Sequence, residues 1–136
     1  MANEATIISL LGNQGDPIEL TVSATTAIPK GTIMCIDSSP QTGTAADTDG
    51  DYVIGIAAIE KTATDGVVKM SCITHCIAEL TTKAGGSMVL GKPVKIDGAN
   101  TVDAADADTL DKTMEAFAIA LETVGASAAG ACLLNI

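Results

Sequence analysis

Residues 67–80 read Val67-Val68-Lys69-Met70-Ser71-Cys72-Ile73-Thr74-His75-Cys76-Ile77-Ala78-Glu79-Leu80. Wound as a helix, Cys72, His75 and Cys76 share one face and have the donor types of a zinc site. Extended as a strand, the two cysteines point to one side and His75 to the other. The cysteines then stand about 13 Å apart, at ~3.3 Å per residue, too far to chelate one ion. The β-branched flanks favour the strand. Cys72 and Cys76 then join Met70, Ala78 and Leu80 on a core face, and His75 lies with Lys69, Ser71 and Glu79 on a wetter one. The stretch is the longest strand candidate in the chain.

Around it the same grammar recurs. Apolar runs at 32–36, 52–59, 87–90, 93–96, 116–124 and 131–136 are separated by turn signals: Pro29-Lys30-Gly31, Asp65-Gly66, Gly91-Lys92 and Asp97-Gly98-Ala99-Asn100. Gly55, inside an apolar run, marks a bulge or a close backbone approach. Residues 37–51 are polar and rich in Gly and Asp, and read as an exposed loop. Residues 101–114 are acidic and Ala-rich, a loop or one short helix from about Asp106. The expected fold is mainly β: a small antiparallel β-sandwich or barrel with at most one short helix. Ile56-Ala57-Ala58-Ile59-Glu60 and Ile119-Ala120-Leu121-Glu122 resemble each other, each placing an acid where a strand leaves the core. The likeness is read as the shared grammar of two hairpins rather than as a duplication.

Residues 1–24 read as an extended N-terminal arm ahead of a β-rich domain at 25–136. Ile7, Ile8, Leu10 and Leu11 form an apolar cluster before the breaker Gly12-Asn13-Gln14-Gly15-Asp16-Pro17. Ile18, Leu20 and Val22 then alternate with polar residues, the two-residue period of a half-buried strand. Such a strand can add to an exposed sheet edge of a partner or complete the protein's own barrel.

The chain has 136 residues, of which 47% are apolar, and a formal net charge of −10. That length fits one compact domain. Seven Lys, no Arg and 17 acids, with Tyr52 and Phe117 as the aromatics, oppose binding to nucleic acid or to an anionic membrane. No apolar run is long enough for a transmembrane span, and Met-Ala-Asn-Glu lacks the character of a signal peptide, so a product made and kept in a cytosol, or assembled there into something larger, is expected. Cys35, Cys72, Cys76 and Cys132 then read as reduced, buried thiols.

Few constellations carry chemistry. His75 is the one histidine, so any Cys–His or Ser–His pair must use it. Asp47-Thr48-Asp49-Gly50-Asp51 resembles part of a calcium loop without the downstream bidentate Glu. Asp103, Asp106, Asp108 and Asp111 form a second acidic group, and both groups read as solvated loops. Lys69, in Val68-Lys69-Met70, is similar to the modified lysine of biotinyl and lipoyl carrier domains, although it falls inside a strand rather than at a hairpin tip. No Gly-rich phosphate loop is present. The alternatives carried forward are a metal or thiol enzyme domain at Cys72, His75 and Cys76, and a carrier domain modified at Lys69. The expectation is a non-enzyme with no cofactor.

From about Ala27 to the C-terminus the chain resembles the small phage capsid decoration (head cement) proteins, which are similar in style to the lambda-type head stabiliser. The stretches that carry this are Ala27-Ile28-Pro29-Lys30-Gly31-Thr32-Ile33 and Asp51-Tyr52-Val53-Ile54-Gly55-Ile56-Ala57-Ala58. They continue with Gly91-Lys92-Pro93-Val94, the turn into Thr101-Val102, and Gly130-Ala131-Cys132-Leu133-Leu134-Asn135-Ile136. The resemblance implies a virion structural protein that trimerises on the outer surface of an icosahedral capsid, with the major capsid protein as partner. It implies no catalytic residue. It also implies that the arm engages the shell, and the apolar residues read above, Ile7, Ile8, Leu10, Leu11, Ile18, Leu20 and Val22, are the ones expected to do so.

Overall fold

The computed structural model describes residues 2–10, 17–105 and 114–136. Eleven strands are formed among them: β1 (Thr6–Leu10), β2 (Ile18–Thr21), β3 (Ile33–Ile36), β4 (Gly43–Ala45), β5 (Val53–Ala57), β6 (Lys69–Ile73), β7 (His75–Thr82), β8 (Pro93–Ile96), β9 (Thr101–Ala104), β10 (Ala116–Ala120) and β11 (Ala129–Asn135). The fold is mainly β, as the turn spacing predicts, and only residues 114–115 of those described are helical. None of the described helical residues forms a span long and apolar enough to cross a membrane.

The strands build two sheets. One has the order β1-β7-β11-β10-β8-β9, and β9 returns to pair with β7 in parallel at Thr81–Thr101 and Thr82–Val102. Strands β7 to β11 thereby close a five-stranded barrel. β1 takes the remaining length of the same β7 edge, with Thr6 opposite Glu79 and Leu10 opposite Cys76. The other sheet has the order β2-β6-β5-β3-β4. Its two edges meet at a single parallel bridge, Thr21–Thr42, where the Thr21 N–H donates to the Gln41 carbonyl at 2.9 Å.

The two sheets are the same unit built twice. β2 to β6 and β7 to β11 follow one another in the same order, and their registers coincide pair by pair. Ile18 faces Cys72 as Ala78 faces Cys132. Ala57 faces Cys72 as Ala120 faces Cys132. Met34 faces Gly55 as Val94 faces Ala118, with a bulge at the same point of each ladder. The turns agree too: the Gly31 N–H reaches the Ala57 carbonyl at 2.9 Å, and the Gly91 N–H reaches that of Ala120 at 2.8 Å. Gln41 and Asn100 share a left-handed φ of 54°. The likeness of Ile56–Glu60 to Ile119–Glu122, read as hairpin grammar, is therefore one segment of a repeat spanning both sheets. Identical residues at matched positions are a minority and include Glu19 and Glu79, Leu20 and Leu80, Thr21 and Thr81, Gly31 and Gly91, Ile36 and Ile96, Asp37 and Asp97, Ile56 and Ile119, Ala57 and Ala120, and Cys72 and Cys132. Side chains changed with the different surroundings of each repeat, so the pattern is plain only in the backbone.

Three element readings are corrected. The stretch 67–80 is two strands, broken at Thr74, where the chain passes from the first sheet to the second. Cys72 consequently lies in the core of the first repeat with Met70, and Cys76 in the larger core with Ala78 and Leu80. The loop at 37–51 contains β4, and the segment 101–114 opens with β9. Both strands are short and polar on one side, and they are held by pairing rather than by apolar content. Residues 106–113, where the short helix was expected to begin, lie outside the described residues. Gly55 meets its expectation: a Cβ there would stand 2.8 Å from the Ile73 carbonyl oxygen.

The first repeat has a small core of Leu20, Val22, Ile28, Met34, Ala57, Met70 and Cys72. Its outward residues Ile33, Cys35, Val53 and Ile56 instead join the inner residues of the second barrel in one larger cluster. The Ile33 N–H donates to Asn100 Oδ1 at 2.9 Å across this junction. The N-terminal segment is laid over the same seam. Ala5 is buried there, its N–H on the Gly31 carbonyl at 2.7 Å, and Asn100 Nδ2 donates to the Ala2 carbonyl at 3.2 Å.

Candidate interaction surfaces

The residues singled out for chemistry are dispersed. Cys72 and Cys76 are both 0% exposed and sit in different cores, while His75 is half-buried at the start of β7 beside Asn135. Among the described residues, no group of three or more His, Cys, Asp or Glu is placed to hold a metal ion. All four cysteines are free and buried. Burial pushes the Cys72 thiol up to about 11 and that of Cys132 to about 12, the latter with help from Glu122. Burial, with the carboxylates of Asp51 and Asp47, takes Cys35 to about 11, and burial raises Cys76 as well. These thiols stay protonated at neutral pH, the opposite of what an attacking thiolate needs.

The acidic groups are engaged locally. Asp51 Oδ2 accepts the N–H groups of Asp47 and Thr48 at 3.1 and 3.0 Å, and Asp49 pairs with Lys95 at 2.6 Å. Asp103 accepts from the Ser87 and Ala104 N–H groups and pairs with Lys83 at 3.2 Å, while Lys83 also binds Asp97. Burial pushes the Asp103 carboxyl up, but these N–H groups and the Lys83 ammonium outweigh it and hold it below the ordinary range. Asp106, Asp108 and Asp111 lie outside the described residues. Lys69 opens β6 opposite Thr21 and is exposed on a strand, not at the Asp65-Gly66 turn.

The residues read as a capsid-binding arm divide by exposure. Leu20 and Val22 are buried in the first core, and Ile7 packs from β1 against the larger one. Ile8 is 54% and Leu10 53% exposed on the outer side of β1, and Ile18 is exposed on β2. Leu11 lies outside the described residues. Both strands within residues 1–24 are paired inside this chain, β1 to β7 and β2 to β6.

A second apolar surface carries no sequence signal of its own. Tyr52, Pro93, Met114, Ile119, Leu133 and Ile136 line a groove of about 340 Å³ on the outside of the second barrel, with part of Phe117 at its floor. Both aromatic residues of the chain meet there although 65 positions in sequence separate Tyr52 from Phe117. The outward positions of a solvated antiparallel strand are ordinarily polar. Here Pro93, Ile119, Leu133 and Ile77 form a continuous cross-strand row over β8, β10, β11 and β7. Contiguous exposed apolar surface of this kind marks contact with another macromolecule. Seeing it from sequence required the strand order, because its members come from segments far apart in the chain.

No family model matches the chain, and no curated protein does. Among solved structures, the fold is similar to that of the head fiber gp8.5 N base in bacteriophage phi29. The TM-score is 0.54 at 10% sequence identity, over 87% of this chain and 92% of that one. At that identity the likeness is one of fold, and it takes in both repeats of this chain.

Proposed function

We propose that the protein is a virion structural component: a capsid decoration protein that sits as a homotrimer on the outer surface of an icosahedral shell and stabilises it. Its partner is the major capsid protein. The observation that carries this reading is the shared fold with a phage head fiber base over almost the whole chain. The ordered stretches that resemble head cement proteins point the same way. The described residues offer surfaces rather than a reaction centre: protonated, buried thiols, engaged carboxylates and two exposed apolar areas. A protein that works by binding to a shell needs no more than this.

The attachment element is the outer side of β1 together with the start of β2. Ile8, Leu10 and Ile18 supply apolar side chains that the fold itself does not use, while Leu20 and Val22 hold the first core. Capsids of the encoding virus, stripped of this protein, provide the test. Purified protein should rebind them, and Ile8→Asp with Leu10→Asp should lower occupancy at least tenfold at an unchanged thermal midpoint. Full occupancy by that double variant would remove β1 as the attachment element. Failure of the unmodified protein to bind shells would remove the function.

A further inference from the structure

Superposing the repeats by register places Ile33, Val53, Ile56 and Ile73 of the first on Pro93, Ala116, Ile119 and Leu133 of the second. In the first repeat this outward face is covered. Ile56 is 0% exposed, Ile33 and Val53 are buried, and Ile73 packs beside them in one cluster with Ile96 and Val102 of the second barrel. Asn100, in the β8–β9 turn, receives the Ile33 N–H there. In the second repeat the same face is also apolar and more open, with Pro93, Ala116 and Leu133 half-buried and Tyr52 and Val53 of the first repeat at its border. Ile119 is 47% exposed, and all four counterparts line the groove of Tyr52 and Met114.

The receiving surface is duplicated as well. Ile36 and Gln41 occupy in the first repeat the places of Ile96 and Asn100 in the second. Ile96 and Asn100 are 0% exposed beneath the first repeat, whereas Ile36 is 50% exposed and Gln41 is exposed. One chain thus holds a joined pair of surfaces and a second pair of the same kind that nothing among the described residues joins.

We propose that copies of this chain associate head to tail. The open face of the second repeat of one copy, centred on Ile119, Leu133 and Pro93, covers the open end of the first repeat of the next, at Ile36 and Gln41. The contact repeats between molecules the docking that each molecule already makes between its own repeats. It rests on the self-association in the proposed function and names the surfaces that carry it. A contact between unlike surfaces closes into a ring when its rotation allows, and three copies in a ring give the proposed trimer. One feature cannot carry over: Pro93 has no N–H to offer Gln41, so the hydrogen bond that anchors Ile33 on Asn100 has no counterpart. The contact between copies is therefore apolar and easier to dissociate than the junction inside the chain.

Light scattering on four samples tests this: the unmodified protein, Ile119→Asp, Ile36→Asp, and an equal mixture of the two variants. The unmodified protein should be a trimer. Each variant alone should be a folded monomer with the far-UV circular dichroism spectrum of the parent. The mixture should form dimers, because one intact face then meets one intact end. Where an Asp variant fails to fold, Ile119→Ser and Ile36→Ser replace the pair and should weaken association at least tenfold. Variants as trimeric as the parent would overturn the contact while leaving the trimer standing, and so would loss of capsid binding by Ile119→Asp with the trimer intact. A mixture that stays monomeric would show a like-to-like contact and overturn the head-to-tail arrangement. A monomeric parent protein at high concentration would remove the self-association as well.

Discussion

Where β5 leaves the first sheet, Lys61 turns inward and is 1% exposed. Its Nζ donates to the carbonyls of Ala24, Thr26 and Thr62 at 3.2, 3.0 and 3.1 Å and lies 3.6 Å from Asp65. At the same place in the second repeat stands Val124, joined to Met88 by the same reciprocal backbone pair that joins Lys61 to Ile28. There the polar group comes from the opposite strand. Thr82 Oγ1 donates to the Gly125 carbonyl at 2.6 Å and accepts the Ala128 N–H at 3.0 Å, at the position that Val22 fills in the first repeat. Both barrels have a strand exit that leaves carbonyls needing a donor. One meets the need with an ammonium opposite a valine, the other with a hydroxyl opposite a valine. The backbone sets the requirement, and the residue that satisfies it is exchangeable.

The sharpest way to break this equivalence is at the lysine. Lys61→Met takes the ammonium from three carbonyls, while Asp65 keeps the Thr62 and Val67 N–H groups, and should cost about 3 kcal/mol at roughly 1 kcal/mol per unpaired carbonyl, read from the shift in a urea unfolding midpoint. Lys61→Val combined with Val22→Thr installs the second repeat's arrangement in the first and should recover much of that loss. No recovery would mean that the two exits are not equivalent.

A smaller effect is expected at the β3–β4 and β8–β9 turns, where matched residues have unlike surroundings. Asn100→Ala removes both the acceptor of the Ile33 N–H and the donor to the Ala2 carbonyl at the seam. It should cost about 1–3 kcal/mol. Gln41→Ala, at the same left-handed position on an exposed turn, should stay within about 0.5 kcal/mol in the monomer. Equal costs at the two sites would contradict the assignment of Asn100 to the seam.

The legible and illegible parts of the fold divide along the same line. Turns were readable because they demand particular residues: Gly31 and Gly91 lie in turns of the structure, and Asp65-Gly66 and Asp97-Gly98 each lie beside one. Strand character at 33–36, 53–57 and 93–96 was readable from apolar runs. The repeat was not, since only its turns and a few core positions keep their residues. The break at Thr74 was hidden because apolar alternation continues straight across it, from one core into the other. Of the candidate surfaces, Ile8, Leu10 and Ile18 were found as apolar residues near a breaker. Their division from Leu20 and Val22 needed the pairing of β2 with β6. The groove at Ile119 was invisible, because each of its residues alone reads as core.

The smallest effect concerns pH. Asp65 is held low, chiefly by the Val67 N–H, and Asp103 by the balance described above. A carboxylate held low in the folded state adds stability above its ordinary value of 3.8 and loses it as pH falls through the lower folded value. Lys83 is raised by its bond to Asp97, and Lys95 by its bond to Asp49. Their contribution is whole below the ordinary 10.5 and is lost as pH rises through the higher folded value. Thermal midpoints should therefore be flat through neutrality, fall below about pH 4, and fall again above about pH 9, where the four thiols that burial keeps protonated in the folded state begin to ionise in the unfolded chain. A marked change between pH 6 and 8 would contradict this set of pairs.

The most direct test of the proposed function is cryo-electron microscopy of intact particles of a phage whose genome carries this sequence. The account predicts paired five-stranded barrels on the outside of the shell, grouped in threes, with β1 toward the major capsid protein and Ile119 toward the neighbouring copy. Particles without this density, or with the protein inside the shell, would contradict it.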